Sequence, residues 1–129
     1  MPTEGVDIVT IFTVDDDENL HQIYRTIFSI RGHSVVAEAY NGAEAIEVYS
    51  TLNPKPDIIL MDYRMPVMDG IMATKELKKK DPSCHIIFVS ADESAKEAAL
   101  AAGASEFKIK PVRINELEES ITKIINSSK

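Results

Sequence analysis

Short apolar runs rich in β-branched residues alternate along this chain with stretches in which apolar residues recur at helical spacing. Alternation of this kind is typical of a parallel sheet whose strands are connected by helices. The sequence therefore predicts an α/β fold of the (βα)5 type, a doubly wound sheet of five parallel strands. The predicted strands are residues 8–14, 34–39, 57–62, 85–90 and 106–109.

The predicted first helix has the clearest periodicity. Its apolar positions follow the spacing of one helix face, and Gly32 is suited to the position just after a helix end. We expect this face to pack on the sheet, and we expect His21 to be an exposed residue of the helix. The predicted face consists of Leu20, Ile23, Tyr24, Ile27 and Phe28.

The other connecting segments carry weaker helix signals. Asn41 and Glu44 resemble a capping box at the start of the second helix. The third helix is expected to begin near Gly70, to turn Met72 and Leu77 inward, and to end in a solvated run of lysines. The fourth and fifth helices are predicted at residues 93–102 and 115–125.

Composition and charge narrow the class of protein. A chain of 129 residues fits one domain, predicted to span 1–129 with a core at about 8–126. The net charge of −7 opposes direct binding of nucleic acid. No apolar run is long enough to cross a membrane, and the N-terminus carries Glu4 and Asp7 instead of the basic region of a signal peptide. With Cys84 as the only cysteine, no internal disulfide can form. We therefore predict a cytoplasmic protein without membrane contact.

Polar residues follow four of the predicted strands. Asp15 and Asp16 follow the first, Asp62 closes the third, Ser90 closes the fourth, and Lys110 follows the fifth. Because parallel strands direct their carboxyl ends toward a shared crevice, these side chains should meet although they are far apart in sequence. Singly, each has a structural explanation such as a helix cap or a turn; together, they favour a functional site.

Carboxylates gathered in this way require a cation. Each pair repels by about 1 kcal/mol in water and by about 4 kcal/mol at an effective dielectric constant near 20. A hard divalent ion such as Mg²⁺, with Mn²⁺ as an alternative, takes carboxylate and carbonyl oxygens. Zinc is disfavoured because the three histidines lack ligand spacing and Cys84 stands alone.

The same residues suit phosphoryl transfer. The Lys110 ammonium can pair with a carboxylate or a phosphoryl oxygen, and the Ser90 hydroxyl can donate to another such oxygen. A metal ion, an ammonium and a hydroxyl around Asp62 predict that this carboxylate is a nucleophile that becomes an acyl phosphate. Phosphorylation should then fail when the metal is chelated.

The chain resembles the receiver domains of two-component response regulators, and specifically the stand-alone chemotaxis-regulator type. The matching motifs cover residues 8–126. They are Val14-Asp15-Asp16, Asp62 with Met65-Pro66-x-Met68-Asp69-Gly70, Ser90-Ala91 and Lys110-Pro111. The resemblance implies a flavodoxin-like sheet of strand order 2-1-3-4-5 and a cis Lys110-Pro111 bond. It also implies that a partner histidine kinase or phosphotransfer protein supplies the phosphoryl group, so that His21 is expected to be an exposed residue of the first helix rather than a phosphodonor.

Position by position, the resemblance assigns roles to individual residues. It implies that Asp15 holds the metal through water, that Asp16, Asp62 and the backbone carbonyl of Arg64 bind it directly, and that Ser90 and Lys110 contact the phosphoryl group.

The resemblance also implies a conformational switch, and it implies that residues beside the site influence the lifetime of the acyl phosphate. Ser90 would move toward the phosphoryl group as Phe107 turns inward, so that the signal reaches a target through the surface of the fourth helix, fifth strand and fifth helix. Arg64 and Asp92 occupy positions that influence hydrolysis, and we hypothesise that they pair over the phosphoryl group and obstruct water.

Several functions remain open from the sequence. We favour a signalling module that is not a turnover enzyme and acts by protein contact, since few residues follow Ile125. A receiver that forms part of a longer DNA-binding transcriptional regulator is an alternative. A haloacid-dehalogenase-type phosphatase is disfavoured, because its acid catalyst two residues after the nucleophile would here be Arg64. A phosphorylation-independent interaction domain is disfavoured because the acceptor, metal and charge positions are all present.

Overall fold

The structure, a computed structural model, describes residues 8–128. It contains one sheet of five parallel strands in the order β2-β1-β3-β4-β5, which confirms the predicted fold class. Glu4 and Asp7, on which the prediction about a signal peptide depends, lie outside the described residues. The strands are β1 Thr10–Val14, β2 Ser34–Ala39, β3 Ile58–Asp62, β4 Ile86–Ser90 and β5 Glu106–Ile109.

Helices connect the strands and carry caps that the local sequence explains. The Asp17 side chain accepts from Asn19 N at the start of the first helix, and the Asp69 side chain accepts from Met72 N at the start of the third. The Asn41 side chain accepts from Glu44 N, as predicted. The helices are α1 Glu18–Ile30, α2 Gly42–Thr51, α3 Gly70–Lys80, α4 Lys96–Ala102 and α5 Ile114–Ser127.

The helices cover both faces of the sheet. On one face α1 and α5 pack against the strands through Tyr24, Phe28 and Leu117. On the other face α2, α3 and α4 contribute Tyr49, Leu77 and Ala99. Every residue of β3 and β4 is buried, as expected for central parallel strands. Burying each large apolar side chain contributes about 1.5–3 kcal/mol, so this core holds the strand ends in place.

Cys84, the only cysteine of the chain, is buried beside β4. Burial raises the pKa of its thiol to about 11.

Three sequence predictions about the helix faces and strand limits are wrong. Ile8, predicted to begin β1, is 73% exposed, and the strand starts at Thr10. Ile23 and Met72, predicted to face the core, are 49% and 46% exposed. In α3 the inward positions beside Leu77 are instead taken by the smaller Ala73 and Thr74.

The helix limits also differ from prediction in places. The predicted fourth helix begins with a 3-10 turn, Glu93–Ala95, before α4 itself. Helix α5 continues through Asn126 and Ser127, beyond its predicted end at Ile125. Within residues 8–128, no helix has both the length and the apolar composition that a bilayer crossing requires.

Candidate acidic site at the carboxyl end of the sheet

The strand register brings the predicted polar residues together. Asp62 pairs with Val89 and Ser90 pairs with Ile109, so the last residues of β3, β4 and β5 lie side by side. Asp15 follows Val14, the last residue of the neighbouring β1. One carboxylate oxygen from each of Asp15, Asp16 and Asp62 lies within 4.8 Å of the others.

Lys110 joins two of these carboxylates. Its Nζ lies 2.9 Å from Asp15 Oδ2 and 3.0 Å from Asp62 Oδ1. The two acids are only 3% and 9% exposed, respectively, so both ion pairs are shielded from water. An ammonium that donates to two buried carboxylates offsets part of their mutual repulsion.

The pKa shifts report the same balance of charges. Burial raises the pKa of Asp62, and the neighbouring Asp15 raises it further, while Lys110 lowers it only in part. For Lys110, burial lowers the pKa, but hydrogen bonds and attraction to Asp15 and Asp62 outweigh burial and raise it overall. Burial is thus the main cause of the raised pKa of Asp62, and net negative charge remains at the site because three carboxylates surround the one Lys110 ammonium.

This residual charge predicts that Asp62→Asn stabilises the metal-free protein. Because the pKa of Asp62 is raised in the folded state, its ionised form destabilises that state at pH values above the folded pKa. Asn removes this cost, and we expect the free energy of unfolding near neutral pH to rise. Below the ordinary carboxyl pKa of about 4, Asp62 is protonated in both states and the difference should vanish. Urea unfolding with EDTA across this pH range measures it; a variant less stable than wild type near neutral pH would contradict the charge balance.

The Asp15 and Asp16 carboxylates differ in how they are held. Asp15 Oδ1 accepts from Asp17 N at 2.9 Å, and Asp15 N donates to Ala39 O at 3.0 Å. The Asp16 side chain is exposed and has no hydrogen-bond partner within residues 8–128. Hydrogen bonds thus hold both the side chain and the backbone of Asp15. The position of the Asp16 carboxylate depends on the backbone of Asp16.

Gly70 allows the loop after Asp62 to fold back onto the strand. Gly70 N donates to Tyr63 O at 2.8 Å, which brings the start of α3 against β3. A Cβ atom at Gly70 would lie 1.8 Å from the carbonyl oxygen of Asp62, a distance that no side chain can adopt. Only glycine permits this approach, and the approach fixes the backbone of Asp62.

The loop between β3 and α3 also contains a backbone outlier. Val67 has φ 70, the left-handed region that β-branched residues rarely adopt. This turn lets Met68 N donate to Pro66 O at 2.7 Å, and Met68 O accepts from Gly42 N at 2.8 Å. The loop is therefore tied to the start of α2 as well as to Asp62.

A second group of residues borders the acidic site from the β4 side. Ser90 Oγ accepts from Asp92 N at 3.0 Å. Asp92 Oδ2 accepts from Arg64 Nη2 at 2.8 Å, and its Oδ1 accepts from Ser94 N. The Arg64 guanidinium also lies 4.8 Å from the Tyr63 ring centroid. A recess of about 370 Å³ is lined by Asp62, Arg64, Ser90, Ala91, Asp92 and Lys110.

Phe107 lies away from this recess, on β5. Its ring is half-buried and stacks on Phe88 with centroids 5.9 Å apart. Tyr63 contacts the same Phe88 ring at 6.0 Å. These aromatic contacts connect the loop after Asp62 with β5. The Lys110-Pro111 bond is cis, as the resemblance implies.

The prediction for His21 is also wrong. It was expected to be exposed, yet it is fully buried. Its Nδ1 lies 2.8 Å from Thr13 Oγ1 and its Nε2 lies 2.8 Å from the carbonyl oxygen of Asp15. The sequence contains a signal for this burial, because His21, Tyr24 and Phe28 follow the i, i+3, i+7 spacing of one helix face. These three are the buried residues of α1.

The residues present fit a hard divalent cation. Within residues 8–128, Asp15, Asp16 and Asp62 form the one cluster of at least three potential metal ligands, and all of them offer carboxylate oxygens. Oxygen donors of this kind suit Mg²⁺. The raised pKa of Asp62 means that a cation held at this cluster would be electrostatically favourable.

Comparison with known proteins gives a consistent result. The family model described as "Response regulator receiver domain" matches residues 11–122. The chain is 41% identical to chemotaxis protein CheY of Bacillus subtilis over 118 residues, which cover 90% of this chain and 97% of that protein. It is 36% identical to regulatory protein AtoC of Escherichia coli, covering 83% of this chain but 23% of that longer protein.

Solved structures agree with the sequence comparisons. One chain in the crystal structure of a CheX-CheY-BeF3-Mg²⁺ complex from Borrelia burgdorferi superposes on this chain with a TM-score of 0.85. The two are 27% identical, and the match covers 94% of this chain and 91% of that one. The likeness therefore extends over nearly the whole described fold.

Proposed function

This chain belongs to the family of response regulator receiver domains of two-component signalling, and from that premise we propose that it carries a phosphoryl group on Asp62. Receiver domains are signalling modules. The observation that carries the proposal is the geometry of Lys110, whose ammonium bridges Asp15 and Asp62 at the edge of a recess that also contains Ser90. We propose that residues 8–126 form a single domain of this kind.

In the proposed reaction, Asp62 is the nucleophile. One of its carboxylate oxygens forms a bond to phosphorus as the bond between phosphorus and an imidazole nitrogen of the donor breaks, and the electron pair of that bond leaves with the imidazole. The donor is a phosphohistidine of a histidine kinase or phosphotransfer protein. Lys110 and the Ser90 hydroxyl bind the incoming phosphoryl oxygens and hold them beside Asp62.

The acidic cluster would hold Mg²⁺ through Asp16, Asp62 and the backbone carbonyl of Arg64, with Asp15 contributing through water. Bound there, Mg²⁺ would supply positive charge that offsets the phosphoryl dianion. The support is the set of three carboxylates within 4.8 Å of one another and the residual negative charge around Asp62. Mn²⁺, which takes similar oxygen ligands, would serve as a substitute.

Removing the metal tests this proposal. With Mg²⁺ and a small-molecule acyl phosphate as donor, we expect the intact mass to rise by one phosphoryl group. With EDTA we expect this increase to disappear, because the donor dianion would meet uncompensated carboxylates. Adding excess Mg²⁺ to the same sample should restore phosphorylation. Equal phosphorylation with and without EDTA would contradict the role of the metal.

The Arg64–Asp92 ion pair should prolong the life of the phosphorylated form. The pair borders the recess and can obstruct the water that would attack phosphorus. We expect Arg64→Ala and Asp92→Ala each to shorten the half-life of the acyl phosphate severalfold, measured by intact mass after the donor is removed. Lys79→Ala removes another exposed ion pair, with Glu76 on α3, and should leave the half-life unchanged. Unaltered lifetimes in both site variants would refute the hypothesis.

Output is proposed to run through α4, β5 and α5. Ser90 would leave its hydrogen bond with Asp92 N and turn toward the phosphoryl group, and Phe107 would turn inward in response. Leu100 of α4 and Ile109 of β5 are 41% and 42% exposed and would form part of the surface that a target protein contacts. CheX accompanies CheY in the Borrelia burgdorferi complex, which supports a protein as the target.

One alternative keeps the same site but places this domain within a longer protein. AtoC is much longer than this chain, so a receiver within a DNA-binding transcriptional regulator remains a second candidate. A haloacid-dehalogenase-type phosphatase is not supported, because Arg64 is exposed, pairs with Asp92 and cannot act as an acid near neutral pH.

A further inference from the structure

We propose that His21 is a positioning residue for the acidic cluster, acting through the peptide that joins Asp15 to Asp16. This inference rests on the proposed function, because it assumes that the cluster binds Mg²⁺. It concerns a buried side chain of α1 that takes no direct part in the proposed phosphoryl transfer.

The His21 ring links β1, α1 and the loop between them. The carbonyl oxygen of Asp15 can only accept a hydrogen bond, so Nε2 carries hydrogen and donates to it at 2.8 Å. Nδ1 is bound to the Thr13 hydroxyl at 2.8 Å. Both nitrogens of a fully buried ring are thereby satisfied, and the ring is held at both edges.

The bond to Asp15 acts on Asp16 as well. The Asp15 carbonyl belongs to the peptide plane that contains the backbone nitrogen of Asp16, so fixing the carbonyl fixes the plane from which Asp16 departs. The Asp16 carboxylate, exposed and without a partner among the described residues, has no other hydrogen bond to place it beside Asp62. His21 therefore holds one of the two peptides that flank Asp16, the cluster's least restrained oxygen donor, and the bond from Asp17 N to Asp15 Oδ1 holds the other.

Packing alone does not require histidine at this position. Tyr24 and Phe28 supply the large buried surface of α1, and an apolar residue would fill the space without the cost of burying two polar nitrogens. The Tyr40 ring lies 4.6 Å from the imidazole, centroid to centroid, and restricts its tilt. These contacts orient the imidazole so that Nε2 faces the Asp15 carbonyl oxygen.

Two amide variants separate positioning from packing. In His21→Gln the side-chain amide can reach the place of Nε2 and donate to Asp15, whereas in His21→Asn it reaches only the place of Nδ1. We expect His21→Asn to raise the dissociation constant for Mg²⁺ about tenfold or more, the usual effect of losing a residue that orients a metal ligand. His21→Gln should bind Mg²⁺ nearly as wild type does. Thr13→Val removes the bond at Nδ1 alone and should have a smaller effect than His21→Asn.

Calorimetric titration with MgCl₂ on folded protein, together with urea unfolding of each variant, distinguishes the outcomes. Weak Mg²⁺ binding by His21→Asn with recovery in His21→Gln supports positioning. Equal Mg²⁺ affinity in wild type and His21→Asn would overturn the inference and leave the proposed function intact. Wild type that binds no Mg²⁺ would overturn the proposed function, and this inference with it.

Should His21→Asn fail to fold, NMR of the histidine side chains of wild type tests the inference instead. We expect Mg²⁺ to shift the His21 Nε2 resonance and to leave that of His33 unchanged. His33 is a matched control, since it is also buried but is bound to Val9 N and Glu118 instead of the acidic cluster. An unmoved His21 resonance at saturating Mg²⁺ would overturn the inference.

Discussion

We expect Asp62→Asn to abolish phosphorylation of the protein by a small-molecule acyl phosphate in the presence of Mg²⁺. The amide cannot act as the nucleophile that a carboxylate is, and among residues 8–128 Asp62 is the acid that both contacts Lys110 and lines the recess. The measurement is intact mass after incubation, with complete loss of the phosphoryl increment as the expected result. This loss should coincide with greater stability, which separates lost chemistry from lost folding.

Asp69→Asn is the matched control. It makes the same chemical change seven positions further along the chain, where Asp69 caps α3, and Asn is as good a capping residue as Asp. We expect it to be phosphorylated as wild type is. Phosphorylation of Asp62→Asn to the wild-type extent would assign the acceptor to another residue.

The second large effect is expected from Gly70→Ala. The added Cβ would lie 1.8 Å from the Asp62 carbonyl oxygen, so β3 and the start of α3 must move apart. Overpacking of this kind costs about 1–3 kcal/mol or more, and the movement displaces Asp62 itself. We therefore expect a loss of about 3 kcal/mol in the free energy of unfolding and slower phosphorylation of the folded fraction. Urea unfolding and time-resolved intact mass measure the two effects.

Gly32→Ala separates backbone preference from crowding. Gly32 has φ +84, but a Cβ there would meet no atom within 4 Å. The left-handed conformation alone costs about 1 kcal/mol, and Gly32→Ala should lose that much stability while phosphorylation proceeds at the wild-type rate. If Gly70→Ala were no less stable than Gly32→Ala, the close approach at Asp62 would not restrict the choice of residue.

The strands were predictable because their signal is local and strong. Buried parallel strands require continuous apolar runs, and the run ending at Asp62 matches β3 to within one residue. Once strand order is known, the meeting of the polar strand ends follows from topology. What topology could not give is the geometry of Lys110, whose ammonium lies between Asp15 and Asp62 through a flexible side chain.

The errors on the helices have different physical reasons. The first helix carries more apolar residues than its buried stripe accommodates, so Ile23 lies exposed although its spacing suited the predicted face. His21 occupies the buried stripe because its two hydrogen bonds compensate for its polarity, and no residue-by-residue hydrophobicity could reveal those bonds. In α3 the buried positions are taken by Ala73, Thr74 and Leu77, and Met72 lies on the exposed side of the helix.

The buried thiol of Cys84 has a practical consequence. With its pKa raised to about 11, hardly any thiolate exists near neutral pH, and the thiolate is the form that reacts with alkylating reagents. Because this is the only cysteine, the folded protein should be inert to maleimide labels. A cysteine introduced at an exposed position such as Leu100 would then carry a spectroscopic probe alone, without first removing the native one.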